Sequence, residues 1–305
     1  MSRHVVMGAG PTGRAVATLL ARRNVPVRQI TRSGQGVDHP AVERIAADAS
    51  DAERLTELVR GADVLINCAM PAYDRWLTEA PPLAAALLTA AERTGARYVM
   101  LGNLYGYGEV HRPMTEDLPM APVSAKGRVR ARMWLDALDA HRAGRARVTE
   151  VRAAAFLGAG ALSTFTLGIA PQVLAGQVAT YPGRTDVPHS WSYVGDVAAT
   201  LVAAAHDDRS WGRAWHAPAA TASAGELAER FAKLTYAPAP RLERLDRSAL
   251  ASLAVTTPVL GELIEMLYAT EHPHILDSAE TRRTLGLTPA DLDAALLDTV
   301  RGLHG

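Results

Sequence analysis

The sequence has one cysteine, only two lysines, 5% aromatic residues and no net charge. Cys68 lies in an apolar run and has no internal partner for a disulfide, so we expect it to pack in a core in a reducing cytoplasm. Lys+Arg and Asp+Glu each total 32, which leaves no overall field to attract nucleic acid or an anionic surface. The apolar stretch at residues 83–91 is too short to cross a membrane, and residues 1–10 lack the apolar core of a signal peptide. We therefore expect a cytoplasmic protein that acts on a small molecule, with no nucleic acid and no membrane as partner.

Short apolar runs alternate with helical patterns in the first half of the 305-residue chain. The runs are HVVMGA, VPVRQIT, VERIAAD, DVLINCA, ARYVMLG and RVTEVRAA, and helices are predicted near residues 12–23, 51–59, 75–94 and 124–143. Asp51 and Ser124 are predicted N-caps, and Gly95 and Gly144 are predicted to follow their helices. This alternation is typical of an α/β fold with a doubly wound parallel Rossmann sheet.

Beyond about residue 155 the alternation gives way to loops rich in proline and glycine and to shorter elements. We predict a Rossmann domain at residues 1–155, to which later segments return, and a smaller C-terminal α/β lobe at residues 156–305 that binds the substrate. Asp196 is predicted to cap a helix that begins at Val197.

A glycine-rich turn follows the first predicted strand. In HVVMGAGPTGRAV, Gly8, Gly10 and Gly13 have the spacing that permits a tight turn, close approach of a pyrophosphate and close helix–strand packing. The N-terminus of the next helix attracts the anion. We predict that these glycines, with Pro11 and Thr12 between them, bind a dinucleotide.

The residues at the end of the second predicted strand indicate which dinucleotide the protein binds. VRQITRSG offers Arg32 and no nearby carboxylate, whereas NAD sites usually place Asp or Glu there for the ribose hydroxyls. Arg32 suits a 2′-phosphate and Arg14 is a candidate second contact, so we predict NADP(H) rather than NAD. From strand topology, Asp48 is expected at the adenine edge, and Ala69 and Met70 beneath the nicotinamide ribose.

Segments spread along the whole chain resemble extended short-chain dehydrogenases/reductases of the NAD-dependent epimerase/dehydratase type. In order, they are the glycine-rich turn, AADASD, DVLINCA, YVMLGNLYGYG, TEDLPMAPVSAK, VRAAAFLGAG, SYVGDVAATL and ILDSAETRRTLGLTP. The resemblance implies a Rossmann sheet, an NAD(P) site and a C-terminal lobe that selects the substrate. It also implies a homodimer, since relatives often pair two subunits through the fourth helix.

The chain departs from these relatives at the expected reaction centre. Where they carry Ser or Thr at the end of the fifth strand, this sequence has Leu101, Gly102 and Asn103. Where they carry Tyr, Pro122 stands four residues before Lys126. In relatives that Tyr exchanges a proton with the substrate oxygen as hydride moves, and proline has no proton to exchange.

Three residues remain candidates for the chemistry. Lys126, in a chain that otherwise uses Arg almost throughout, is predicted to bind the nicotinamide ribose and to place a positive charge at the reaction centre. Asn103 is predicted to donate a hydrogen bond to a substrate carbonyl. Tyr105, which matches the family's Tyr-Gly pair, is a candidate replacement acid, with a structural role in the pocket wall as the alternative.

Aromatic residues near predicted strand ends are expected to surround the substrate. The candidates are Tyr73, Trp76, Phe156, His189 and Trp191. They favour a flat or apolar ligand over a polyhydroxylated sugar, with packing of the lobe as the alternative. Relatives that use sugar nucleotides place an Arg near the position of His189, which also disfavours such a substrate.

Three functions remain open. The favoured one is an NADP(H)-dependent oxidoreductase or epimerase/dehydratase-like enzyme with a non-standard proton donor, acting on a small carbonyl or hydroxyl compound. The second is an NADP-binding sensor or regulator without turnover, and the third a non-redox enzyme, such as a cyclase or isomerase, on the same fold.

His272 and His274 have no third ligand nearby, so no metal site is predicted.

Overall fold

A computed structural model describes residues 3–303 of the chain. In chain order, the strands are β1 (His4–Met7), β2 (Val27–Thr31), β3 (Val42–Ala46), β4 (Val64–Asn67), β5 (Arg97–Asn103), β6 (Val148–Ala153), β7 (Ala155–Leu157), β8 (Val178–Pro182), β9 (Pro188–Tyr193), β10 (Ala214–His216), β11 (Ala220–Ser223) and β12 (Arg241–Leu245).

The helices alternate with these strands in the first half of the chain. They are α1 (Pro11–Arg22), α2 (Ala52–Val59), α3 (Trp76–Thr94), α4 (Ala125–Arg142), α5 (Ala170–Leu174), α6 (Val194–His206), α7 (Ala224–Thr235), α8 (Arg247–Ala254), α9 (Tyr268–Glu271), α10 (Ala279–Leu285) and α11 (Leu292–Leu303). Short 3₁₀ turns cover Tyr73–Arg75, Tyr105–Tyr107, Asp208–Ser210 and Pro258–Met266, and a π-helical turn covers Phe165–Ile169.

Within residues 3–303, seven parallel strands form the central sheet in the order β10-β6-β5-β4-β1-β2-β3. The predicted α/β fold with a doubly wound parallel sheet is therefore confirmed. The chain builds β2 and β3 on one side of β1 and then returns to build β4, β5 and β6 on the other. In open sheets of this kind, ligands bind at the carboxyl ends of the strands where the order reverses.

Apolar side chains cover both faces of this sheet. Val5 and Met7 of β1 join the core under α2, α3 and α4, whereas Val6 joins the core under α1 and α6. This alternation follows from the two-residue period of a strand, and because both faces are covered, β1 and β4 are apolar apart from His4 and Asn67, which are buried as well.

Local sequence signals fix the helix ends. The Asp51 carboxylate accepts a hydrogen bond from the Arg54 amide at 3.0 Å, and the Ser124 hydroxyl accepts one from the Gly127 amide at 3.0 Å. Gly95 ends α3 with φ of 73°, a conformation that favours glycine. Gly144, with φ of 71°, follows the end of α4 in the same way, so all four predicted helix-end residues are confirmed.

The prediction for Asp196 was wrong. Helix α6 begins at Val194, three residues earlier in the chain than predicted. The Asp196 carboxylate instead accepts a hydrogen bond from the Ala290 amide at 2.8 Å, which ties α6 to the loop before α11.

A smaller unit follows β6. Strands β7, β9 and β11 form one sheet, β8 pairs with β12, and both pack with α5, α7 and α11 around a separate core. Helix α6 and strand β10, however, return to the central sheet. The division into two domains at residue 155 stays a prediction.

Candidate active site

The turn between β1 and α1 is shaped by two close backbone approaches. Gly8 has φ of 95°, and a Cβ at this residue would lie 3.0 Å from the Ala69 amide nitrogen. A Cβ at Gly13 would lie 2.3 Å from the carbonyl oxygen of Gly8, so only glycine lets α1 pack this closely on the turn. At Gly10, the N-cap of α1, a Cβ would meet no atom within 4 Å.

A cleft of about 720 Å³ opens above this turn, at the carboxyl ends of β1, β2 and β4. Of the predicted cofactor-binding residues, six line it: Gly8, Gly10, Arg32, Asp48, Ala69 and Met70. Pro11, Thr12 and Gly13 instead form the first turn of α1 beneath it. The size and position of the cleft are those of a dinucleotide site.

The end of β2 carries positive charge. Arg32 is exposed at the rim of the cleft, directly after Thr31, the last residue of the strand. Hydrogen bonds from Ser50 hold the pKa of Asp48 below its usual range, and the charge of Arg32 lowers it further. Arg14 is tied to the backbone, because its guanidinium donates to the carbonyl oxygens of Ala9 and Gly36, each at 3.0 Å.

A second, inner cavity of about 270 Å³ lies at the carboxyl ends of β5 and β6. The structure places all of the predicted substrate residues around it, together with two of the predicted catalytic residues: Tyr73, Trp76, Phe156, His189, Trp191, Asn103 and Tyr105. Leu263 and Met266, from the 3₁₀ turn 258–266, close another side. Sequence patterns did not reveal this wall, because it comes from a distant segment of the chain.

Two tyrosines stand together in the inner cavity. The Tyr73 and Tyr105 side chains lie together beside the Trp76 ring, which is 5.1 Å from the Tyr73 ring and 5.9 Å from that of Tyr105. Burial raises the pKa of Tyr105, while the neighbouring Tyr73 hydroxyl and the charges of Arg130 and Lys126 act to lower it. Asn103 Oδ1 accepts a hydrogen bond from the Tyr105 amide at 3.2 Å.

Lys126 lies close to these tyrosines, with its Nζ 4.6 Å from the centre of the Tyr73 ring. Its side chain is 1% exposed, and its ammonium donates to Glu262 and, at 2.9 Å, to Glu265. Burial alone would lower the pKa of Lys126, but these two hydrogen bonds outweigh it and raise the pKa. Lys126 is not part of the wall of either cavity, and the glutamates that engage it were not predicted, since they lie in the 3₁₀ turn 258–266.

Arg130 is a second residue that sequence reasoning missed. It lies one helical turn after Lys126 on α4, and it is 8% exposed. Its guanidinium donates to the Leu101 carbonyl oxygen at 2.8 Å and to the Met70 sulfur at 3.3 Å. The spacing of four residues from Lys126 was the available signal, because residues four apart share a helix face.

The titratable groups deeper in the site are held neutral. Burial lowers the pKa of both His189 and His274 to about 4. Burial raises the pKa of the Cys68 thiol to about 12. The inner cavity is therefore apolar and uncharged on the side of the smaller unit.

The model of the NAD-dependent epimerase/dehydratase family matches residues 4–215 of this chain. The match includes the glycine-rich turn, the nucleotide cleft and the strands that carry Asn103 and Phe156. The chain belongs to the NAD-dependent epimerase/dehydratase family, and it is an enzyme of that type with a site for a nicotinamide cofactor.

Solved structures of low sequence identity share the fold over nearly the whole chain. An epimerase from Methanothermobacter thermautotrophicus has a TM-score of 0.84 at 17% identity, and the match covers 99% of this chain and 92% of that one. The UDP-glucuronic acid 4-epimerase of Bacillus cereus, in complex with NAD, has a TM-score of 0.82 at 16% identity and 99% coverage of both chains. The dTDP-glucose 4,6-dehydratase of Bacillus anthracis, also with NAD, has a TM-score of 0.80 at 16% identity, covering 100% of this chain and 97% of that one.

A curated relative shares a shorter segment. The NADP(+) shikimate dehydrogenase of Haloarcula marismortui is 36% identical over 77 residues, which are 25% of this chain and 29% of that enzyme. This chain therefore matches less than a third of the length of that relative.

No helix within residues 3–303 is both long and apolar enough to cross a membrane, and no cluster of three or more metal-ligating side chains occurs in the same range.

Proposed function

We propose that the protein is an NADP(H)-dependent oxidoreductase or epimerase/dehydratase-like enzyme that acts on a small, apolar or aromatic carbonyl or hydroxyl compound. The observation that carries this proposal is the loop 70–76, which lines both cavities. Met70 and Pro71 border the nucleotide cleft, while Tyr73 and Trp76 border the inner cavity. A nucleotide that fills the first cavity thus reaches the edge of the second.

The preference for NADP(H) rests on the charge at the end of β2. The 2′-phosphate of NADP needs a cation at this position, and the 2′-hydroxyl of NAD is usually held by a carboxylate. Arg32 is exposed and forms no salt bridge with a carboxylate of residues 3–303, so its guanidinium is available to a phosphate. Asp48 lies across the cleft, where its carboxylate can accept hydrogen bonds from an adenine amino group.

The inner cavity favours a small substrate without a diphosphate group. A cavity volume of about 270 Å³ lies just below the range of about 300–1,000 Å³ typical of ligand sites. His189 lies near the position where relatives that use sugar nucleotides place an Arg to bind phosphate. His189 cannot take this role at physiological pH, because burial lowers its pKa to about 4 and leaves it neutral. Aromatic rings and aliphatic side chains form most of the remaining wall.

Tyr105 is the proposed proton donor. Its hydroxyl lies in the cavity wall beside Tyr73, and because burial raises its pKa, it keeps a proton that it can donate to a substrate oxygen. Asn103 accepts from the Tyr105 amide through Oδ1, so its two N–H groups are left to hold the same oxygen. A nicotinamide bound in the cleft would supply the hydride or accept it, while Tyr105 and Asn103 hold the substrate oxygen.

Lys126 is proposed to place positive charge beside the two tyrosines. Its Nζ lies 4.6 Å from the centre of the Tyr73 ring, and its charge can act on an oxyanion there only after its salt bridges to Glu262 and Glu265 are exchanged. A contact between Lys126 and the nicotinamide ribose, as the sequence predicts, requires an exchange of its glutamate partners when cofactor binds.

The test is hydride transfer from NADPH to a panel of small aromatic and aliphatic aldehydes and ketones, followed by the absorbance of the reduced nicotinamide. We expect turnover with at least one compound, and a loss of about 10²-fold or more in kcat for Tyr105→Phe with NADPH binding retained. Tyr236→Phe is the matched control, because Tyr236 is 97% exposed. Tight NADPH binding without turnover of any compound, or full activity in Tyr105→Phe, would count against the proposal.

A further inference from the structure

Arg130 lines neither cavity, but its buried guanidinium contacts one wall residue of each. It donates to the Leu101 carbonyl oxygen in β5 and to the sulfur of Met70, which lines the nucleotide cleft. Its central carbon lies 5.5 Å from the centre of the Trp76 ring, which lines the inner cavity. Arg130 thus stands at the carboxyl ends of β4 and β5, in the middle of the sheet.

No carboxylate of residues 3–303 forms a salt bridge with Arg130. Glu150 is the acidic residue that stabilises its charge from a distance, but the Glu150 carboxylate is already paired with Arg152 at 2.6 Å. Burial accordingly acts to lower the pKa of Arg130, although a guanidinium stays protonated in proteins. A buried charge without an anionic partner is costly, so the site is incomplete as it stands.

The donors of Arg130 are also only partly used. A guanidinium offers five N–H groups in a planar fork, and the Leu101 carbonyl and the Met70 sulfur engage two of its nitrogens. A thioether is a weak acceptor that a stronger one readily replaces. The natural occupant of such a fork is a carboxylate, which accepts two parallel hydrogen bonds.

We propose that Arg130 binds a carboxylate of the substrate, which replaces the Met70 sulfur as its hydrogen-bond acceptor. The substrate class is then a small apolar or aromatic acid that carries its carboxylate close to the reacting carbonyl or hydroxyl group. This deepens the proposed function and rests on it for the reaction, although the binding of the acid can be tested without any cofactor.

The experiment compares benzoate with benzamide, which match in ring and size and differ in charge, by calorimetric titration of the protein without nucleotide. We expect benzoate to bind at least about tenfold more tightly than benzamide to the unmodified protein. Arg130→Gln is expected to abolish this preference and Arg130→Lys to retain part of it. Arg132→Gln is the control, since Arg132 is exposed and pairs with Asp136 on the surface of the same helix.

Equal affinities for benzoate and benzamide in the unmodified protein would overturn the proposal, whether or not Arg130→Gln folds. A preference that survives in Arg130→Gln, or benzoate binding that NADP competitively abolishes, would overturn it as well. NADPH binding measured on the same samples separates this outcome from failure of the proposed function, because loss of carboxylate selectivity leaves the nucleotide cleft intact.

Discussion

Two glycines of the turn after β1 are expected to respond in opposite ways to the same substitution. A Cβ at Gly10 meets no atom within 4 Å, whereas a Cβ at Gly13 lies 2.3 Å from the carbonyl oxygen of Gly8. Gly10 has φ of −65°, which alanine adopts without strain. Gly10→Ala therefore fills empty space at the floor of the cleft, and Gly13→Ala collides with the backbone.

The magnitudes follow from these distances. Gly10→Ala is expected to leave stability unchanged or to raise it by about 0.4–1 kcal/mol, because alanine restricts the unfolded chain. Its methyl group occupies space that a pyrophosphate needs, at a cost of about 1–3 kcal/mol in NADP affinity, or roughly 5- to 150-fold. Gly13→Ala must separate α1 from the turn by about 1 Å, at a cost of about 1–3 kcal/mol in stability.

The assay pairs urea unfolding with calorimetric titration of NADP for both variants. We expect Gly10→Ala to keep its unfolding midpoint and lose affinity, and Gly13→Ala to lose stability. Wild-type NADP affinity in Gly10→Ala would refute the reasoning, because the open space above Gly10 would then not be the space that the nucleotide fills.

Three further predictions concern charge. Arg32→Ala is expected to weaken NADP binding by about tenfold or more while NAD binding changes little, because a 2′-phosphate loses its cation; titration with both nucleotides measures this. Lys126→Met is expected to lower the free energy of unfolding by about 1–3 kcal/mol, since two partly buried glutamates lose their counter-ion; urea unfolding measures this. The free energy of unfolding is expected to fall as the pH drops from 6.5 towards 4. Burial lowers the pKa of His189 and His274 from 6.5 to about 4, so between these values the unfolded chain binds more protons than the folded one. Thermal unfolding across this pH range measures the effect.

A matched variant serves as a control for these measurements. Arg54 lies away from both cavities and pairs with Glu57 on the surface of α2. Arg54→Ala should therefore leave the ratio of NADP to NAD affinity unchanged. A stability that does not change between about pH 6.5 and pH 4.5 would contradict the neutral state assigned to the two buried histidines.

The parts of the fold that sequence predicts are those that depend on local signals. Asp51 and Ser124 cap helices through amides three residues away, so the cap and its target are read from one short segment. Of the seven strands described in the central sheet, all but β10 were likewise predicted from short apolar runs. The glycine-rich turn was recognisable because the close approaches at Gly8 and Gly13 restrict the residue type itself.

The parts that sequence did not predict depend on contacts between distant segments. Lys126 and Glu262 are 136 residues apart, and Asp196 and Ala290 are 94 residues apart. Nothing in the local pattern around Asp196 separates a helix cap from a contact with a remote loop, since both need an exposed acceptor near a helix start. Arg130 was passed over for a similar reason, because its burial depends on how α4 packs against β5.

The candidate site falls between these two cases. Positions at the carboxyl ends of strands follow from topology, which is why the aromatic residues assigned to the substrate lie around one cavity. The chemistry within that cavity depends on which side chains face one another, such as Tyr73 and Tyr105 beside Trp76, and no spacing rule gives these contacts.

The most direct test is a calorimetric titration of the purified protein with NADP and with NAD. We expect NADP to bind with a measurable heat and more tightly than NAD, because Gly8 and Gly10 open the cleft to a pyrophosphate and Arg32 offers a guanidinium to the 2′-phosphate. The absence of heat with both nucleotides would contradict the placement of a dinucleotide across the carboxyl ends of β1, β2 and β4.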